Sequence, residues 1–244
     1  MITQVRLTLA PDKPCQPRPE WSYRLYAALL RQAPADFGCQ VHQDAVTPVS
    51  QYLDLEGEEP VWVVTLLGEA CEQALSPVLE TTEGFTLDRE HLRLRVRQRS
   101  FRRIEDAEAL LAQAAALRGP HRLRFVTPTA FKSQGHYVNL PTSRLILQNL
   151  LRKWNGCITE CPIEDEDGQG LEALAAGLRC GAFRIASRDY PLKGHPVSGF
   201  VGELTLENHL TGFHRQLANA LLLFGTYAGV GIKTTLGMGG VTRL

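Results

Sequence analysis

Near the start of the chain Val5, Leu7 and Leu9 alternate with polar neighbours, the period-2 pattern of a strand with one buried face. The period then changes. In PEWSYRLYAALLRQA, the residues Trp21, Leu25, Ala28, Leu29 and Gln32 trace one face of a helix. QYLDLEGEEPVWVVTLL reads as two strands around an acidic turn, and FTLDREHLRLRVRQRSF as a second hairpin. Between them GEACEQALSPVLETT has helical spacing, with Pro77 expected to kink or restart it. IEDAEALLAQAAALRG closes on Gly119 and is followed by Pro120, as a helix end should be. The domain boundary is placed there, giving units 1–119 and 120–244.

The second half repeats the theme. HRLRFVTPTAF is a strand, PTSRLILQNLLRKWN a helix opened by Pro141, and GAFRIASRDYPLKGHPVSGFVGELTLEN a long hairpin. HLTGFHRQLANALLLFG is a helix, and the closing glycine-rich stretch ends as a strand. Two successive β-α-β-β-α-β units result. The fold class is α+β, with two tandem ferredoxin-like (RRM-like, split βαβ) domains.

A hydrophobic content of 44% against 21% charged residues suits a globular chain with a real core. No apolar run is long enough to cross a bilayer, and the N-terminus lacks a signal-peptide h-region, so no membrane partner is expected. The six cysteines are read as reduced thiols of a cytoplasmic protein. Lys and Arg total 26 and Asp and Glu total 26, so net charge gives no hint of a polyanionic partner. Its distribution does. Acid collects at 54–59 and 164–167, base at 93–103.

GTYAGVGIKTTLGMGGVTRL, residues 225–244, looks like a nucleotide loop out of register. A P-loop needs glycine before its lysine, and Ile232 stands there. A dinucleotide fingerprint needs a strand before the glycines and a helix after them, and here the order is reversed. Two readings remain. Gly229, Gly231, Gly237, Gly239 and Gly240 let backbone amides approach an anion, with Lys233 adding charge, or they form a hairpin that lets two domains pack. In HLRLRVRQR, alternation places Arg93, Arg95, Arg97 and Arg99 on one sheet face, either as a phosphate-binding row or as a solvated surface. CITEC at 157–161 lacks a second ligand pair for zinc, and EDED at 164–167 reads as a solvated loop, so no metal site is assigned.

A C-terminal Gly229-Val230-Gly231 followed after five residues by Gly237-Met238-Gly239, in a chain of two ferredoxin-like units, resembles the CRISPR-associated RAMP endoribonucleases. RFVTPTAF, NLPTSRLILQNLLRKWN, VRLTLAP and YRLYAALL are similar to segments at the corresponding places of that family. The resemblance implies cleavage of precursor CRISPR RNA within its repeats, without metal or cofactor, by 2′-hydroxyl attack that leaves a 2′,3′-cyclic phosphate and a 5′-hydroxyl. It implies repeat RNA as the partner, held by Gly229, Gly231, Lys233, Gly237, Gly239 and the four arginines of 93–99. His42 occupies the position of the family's catalytic histidine, with Tyr26 as a helper on the preceding helix. Tyr26 lies about one turn earlier than the family's tyrosine, and no lysine follows His42 before Lys132. The alternative reading is a non-cleaving RNA-binding subunit, partnered by other subunits of a CRISPR effector complex. Either would be a monomer or a homodimer.

Overall fold

The computed structural model describes residues 1–34, 37, 46–192 and 194–244. The first unit contains β1 (Ile2–Pro11), α1 (Trp21–Leu30), β2 (Val49–Asp54), β3 (Val61–Leu67), α2 (Glu69–Thr81), β4 (Gly84–Leu87) and β5 (Leu92–Ile104). Its strands form one antiparallel sheet in the order β2-β3-β1-β5-β4. The inward residues of β1, Val5, Leu7 and Leu9, are each 0% exposed, as their alternation requires. They pack with Trp62, Leu94, Leu25 and Leu29 of α1, and Leu75 and Leu79 of α2.

Helix α3 (Ala107–Ala115) leads into the second unit, and Asp106 caps it by accepting from the Ala109 amide. There follow β6 (His121–Thr129), a small β7–β8 ribbon (Phe131–Ser133 and His136–Val138), α4 (Ser143–Cys157) and α5 (Gln169–Gly177). The unit closes with the long β9–β10 hairpin (Leu178–Leu192 and His195–Asn208), α6 (Gly212–Ala228) and β11 (Val241–Arg243). The sheet order β11-β6-β10-β9 is again the split-βαβ arrangement. Its core packs Phe125 against Phe200 with ring centroids 4.6 Å apart and planes tilted by 58°, and sets Trp154 of α4 edge-on to Phe224 of α6 at 5.3 Å. Ile2, Leu67 and Ile104, at one end of the first sheet, join this second core together with Leu110 and Ala114 of α3. The two units therefore share buried surface at that end.

Three local expectations change. Helix α2 runs unbroken through Pro77. Pro77 is exposed while Cys71, Leu75 and Leu79 bury the opposite face, and that packing outweighs one missing amide. Helix α4 begins at Ser143 because Thr142, not Pro141, caps it, its hydroxyl accepting from the Leu145 amide at 3.1 Å. The acidic run 164–167 is more than a solvated loop. Asp165 accepts from the Gly170 and Leu171 amides at 2.8 and 2.9 Å, capping the otherwise unanticipated α5.

Candidate functional site

Helix α6 delivers the chain into the glycine-rich loop 229–240, which lies between the two units. Gly229, Val230, Gly231 and the whole run from Gly237 to Gly240 are buried, while Ile232, Lys233, Thr235 and Leu236 at the tip are half-exposed. Both glycine readings from the sequence bear on this. Gly231 sits at φ 86, and a side chain there would collide with the Ala130 carbonyl oxygen; Gly237, at φ 105, lies against the Tyr190 hydroxyl and Ser22 Oγ. The amides are turned toward the protein itself. Val230 N donates to Gly239 O (2.9 Å), Gly231 N to Asn149 Oδ1 (2.7 Å) and Ile232 N to Ala130 O (2.9 Å). Gly239 N donates to Pro128 O (3.0 Å) and Gly240 N to Thr127 Oγ1 (2.8 Å). These five donors are engaged, so the expectation that they face an anion does not hold for them.

Both units brace the loop. From the second, Lys153 Nζ donates to Ala228 O, Gly229 O and Thr234 Oγ1 at 2.9, 2.9 and 3.0 Å. The Tyr190 hydroxyl of β9 lies 2.8 Å from Leu236 O and 3.2 Å from Pro19 O. From the first unit, the Gln51 amide donates to Thr234 O (2.8 Å) and its Nε2 to Thr235 O (2.9 Å). Gln51 Oε1 is held by Ser22 Oγ and Trp62 Nε1 at 2.6 and 2.8 Å.

Two cationic hollows flank this wedge. A groove of about 600 Å³ runs along α4 beside the loop tip, lined by Lys132, Arg152, Lys233, Gln148, Val46 and Thr47 among others. Among its described lining residues Asp165 is the one acid. A second hollow, of about 550 Å³, lies between the open face of the first sheet and the second unit. Arg6, Arg102 and Arg243 line it with Gln4, Tyr52 and Tyr227, and no carboxylate is among its described lining residues. Arg102 stacks 5.4 Å over the Tyr227 ring.

Residues 123–241 match the sequence profile of the family described as CRISPR-associated endoribonuclease Cas6. A CRISPR-associated endoribonuclease Cas6 of Mycobacterium tuberculosis (strain CDC 1551 / Oshkosh) is 30% identical over 246 residues, covering 98% of this chain and 77% of its own length. The chain belongs to the Cas6 family. A Cas6 of Streptococcus thermophilus is 28% identical, covering 94% of this chain and 93% of its own. In fold, a Cas6 product complex superposes with a TM-score of 0.79 at 24% identity, over 100% of this chain and 99% of that one. Thermus thermophilus Cas6 does so at 0.72 and 24%, over 100% and 98%. Family membership makes the protein a CRISPR-associated endoribonuclease and accounts for its two ferredoxin-like units.

The residues the Cas6 resemblance singled out fall in different places. His42 lies outside the described residues. On either side of it, Phe37 is buried in the first core, and Val46 packs so tightly on α4 that a side chain at Gly156 would sit 2.7 Å from Val46 Cβ. Tyr26 is 6% exposed, its hydroxyl buried in the first core without a hydrogen-bond partner among the described residues. Burial, with the nearby Cys71 thiol, pushes its ionisation far above the usual range.

The four arginines do not share a face. β5 has a bulge where its register on β1 shifts between Thr8 and Leu9, leaving Arg97 as the extra residue. Arg93 and Arg95 stay on the open, exposed face. Beyond the bulge Arg99 pairs with Leu7, on the helix-covered face, and donates to Thr82 O at 2.6 Å and Leu79 O at 3.5 Å. It therefore caps the C-terminus of α2. The same shift brings Ser100 and Arg102 onto the open face opposite Arg6 and Gln4. Arg6, Arg102 and Arg243 were missed by the sequence reading; the polar positions of β1 carried the signal for Arg6, and the bulge hid that for Arg102. Among the described residues no helix is long and apolar enough to cross a membrane.

Proposed function

We propose that this Cas6-family endoribonuclease binds CRISPR repeat RNA and cuts precursor CRISPR RNA within the repeats by internal transesterification. The attacking 2′-hydroxyl displaces the 5′-oxygen of the next nucleotide, leaving a 2′,3′-cyclic phosphate and a 5′-hydroxyl. The protein then has to align the attack, move a proton from the nucleophile, neutralise the phosphorane and protonate the leaving oxygen. His42 carries out one of the proton transfers, since imidazole titrates near neutrality. Lys233 at the loop tip, together with Arg93, Arg95 and Arg97 and the arginines of the inter-unit hollow, holds the RNA backbone. Gly229, Gly231, Gly237 and Gly239 act by shaping the loop that carries Lys233. With its hydroxyl in the core, Tyr26 is given no step.

The observation that carries this reading is the meeting of three features at one groove. These are the braced loop with Lys233 at its tip, the basic side of α4, and Val46, at which the chain emerges from the segment bearing His42. The unit boundary at Gly119 then separates the histidine-bearing half from the half that carries the loop.

The test uses a labelled repeat RNA in EDTA with end-group analysis of the products. The expected result is a 2′,3′-cyclic phosphate and a 5′-hydroxyl, and loss of cleavage with retained binding when the nucleotide 5′ of the scissile phosphate is 2′-deoxy. Cleavage of the deoxy substrate would overturn the mechanism. Tight binding with no product would favour the non-cleaving subunit instead. Two structures of one relative support RNA as the ligand, a Cas6 product complex and a Cas6 substrate-mimic complex.

A further inference from the structure

Lys153 is the one lysine or arginine that is buried among the described residues. A lysine ammonium has three donors, and here all three meet acceptors of the glycine-rich loop or its root: Ala228 O, Gly229 O and Thr234 Oγ1. No salt bridge to a carboxylate accompanies them among the described residues. Burial drives its pKa down to about 7, with Cys157 opposing and Arg152 adding to the shift. A buried cation in this position is therefore costly, and a methionine of similar length would fill the space without that cost. Its contacts show what the charge does there. Ala228 and Gly229 supply carbonyls at the C-terminal end of α6, where the helix dipole favours a cation, and Thr234 lies on the returning limb of the loop.

Four residues earlier on the same face of α4, Asn149 forms a reciprocal pair with Gly231, accepting from its amide at 2.7 Å and donating to its carbonyl at 3.2 Å. Lys233 lies between these two anchor points, held at φ 55 in the left-handed region, with its carbonyl accepting from the Leu236 and Met238 amides at 2.9 and 3.3 Å. Its backbone conformation is one that a non-glycine residue adopts only under constraint.

We propose that Lys153 is a positioning residue for RNA binding: by tying the root and the returning limb of the loop together, it fixes the strained turn that presents Lys233 to the RNA backbone. The inference rests on the reading of Lys233 as an RNA contact. Lys153 acts through the loop, since all three of its donors are taken up by Ala228 O, Gly229 O and Thr234 Oγ1.

The test is a double-mutant cycle on the full chain, scored by repeat-RNA affinity and by single-turnover and steady-state cleavage. Lys233→Ala and Lys153→Met should each raise Kd by about ten-fold, the range expected for losing one charge-assisted contact. Their combination should be no weaker than Lys233→Ala alone, because the second change removes only the presentation of a side chain already absent. Lys153→Met should raise KM and leave kcat at saturating RNA unchanged. Multiplicative losses in the double variant, or a fall in kcat at unchanged KM, would overturn the proposal while leaving Lys233 as an RNA contact. No effect of Lys233→Ala would overturn both. Should Lys153→Met fail to fold, Thr234→Val removes one acceptor at nearly constant shape, and the same cycle with Lys233→Ala decides the matter.

Discussion

Replacing Gly231 by alanine separates two roles of the loop glycines, conformational freedom and close packing. At φ 86 an alanine pays the left-handed penalty of about 1–2 kcal/mol. The added methyl would also stand 3.2 Å from Thr129 Cγ2 and closer still to the Ala130 carbonyl oxygen, which is fixed by its bond to the Ile232 amide. Such overpacking costs about 1–3 kcal/mol. The reduced freedom of the unfolded chain returns about 0.4–1 kcal/mol. The net loss is therefore about 2–4 kcal/mol. For a chain of this size that lowers Tm by about 5–15 °C. Gly135 is the control. Its φ of 85 is nearly the same, and nothing lies within 4 Å of a Cβ placed there. Gly135→Ala should cost about 1 kcal/mol or less, the backbone penalty alone. Thermal unfolding of both variants, followed by circular dichroism, checks the difference. Equal shifts in Tm would refute the claim that the loop is wedged between the units.

Other expectations follow from particular contacts. Arg102→Ala should flatten the slope of log affinity against log salt for repeat RNA by about 0.7, as for one lost phosphate contact. Arg99→Ala should leave that slope unchanged and cost about 1 kcal/mol of stability by uncapping α2; denaturant titration measures it. Gly156→Ala, which would force Val46 away from α4, should slow single-turnover cleavage more than it weakens binding, because Val46 anchors one end of the segment bearing His42; an unchanged rate would contradict that link. Lys153 should leave a signature in stability. Its folded pKa of about 7 lies below the unfolded value of 10.5, so between these the unfolded chain binds the extra proton. Wild type should gain on Lys153→Met as pH rises through this window, by up to about 1.4 kcal/mol per unit.

Where one physical rule dominates, the sequence was easy to read. Val5, Leu7 and Leu9 alternate because one face of β1 is buried, and both β-α-β-β-α-β units could be traced from such patterns. Reading failed where tertiary structure overrode a local rule. Pro77 does not break α2 because the buried face made by Cys71, Leu75 and Leu79 outweighs its one missing amide. Arg99 left its row because a bulge, invisible in the alternation, inverted the face of everything after it. The spacing of the glycines pointed to the family, yet it could not tell which of their amides are already engaged within the protein. Lys153 sat unremarked in LLRKWN, since nothing in a helical pattern distinguishes a lysine facing solvent from one covered by a loop nearly eighty residues downstream.

In the proposed mechanism this protein cuts repeat RNA through its own histidine, while the glycine loop serves only to hold the substrate. The direct measurement is single-turnover cleavage of repeat RNA in EDTA by His42→Ala beside wild type, with Kd measured in parallel. A rate reduced by two or more orders of magnitude at nearly unchanged Kd is the predicted result, the range about 10²–10⁴ being typical of a lost proton-transfer group. Cleavage by His42→Ala at the wild-type rate would contradict the account.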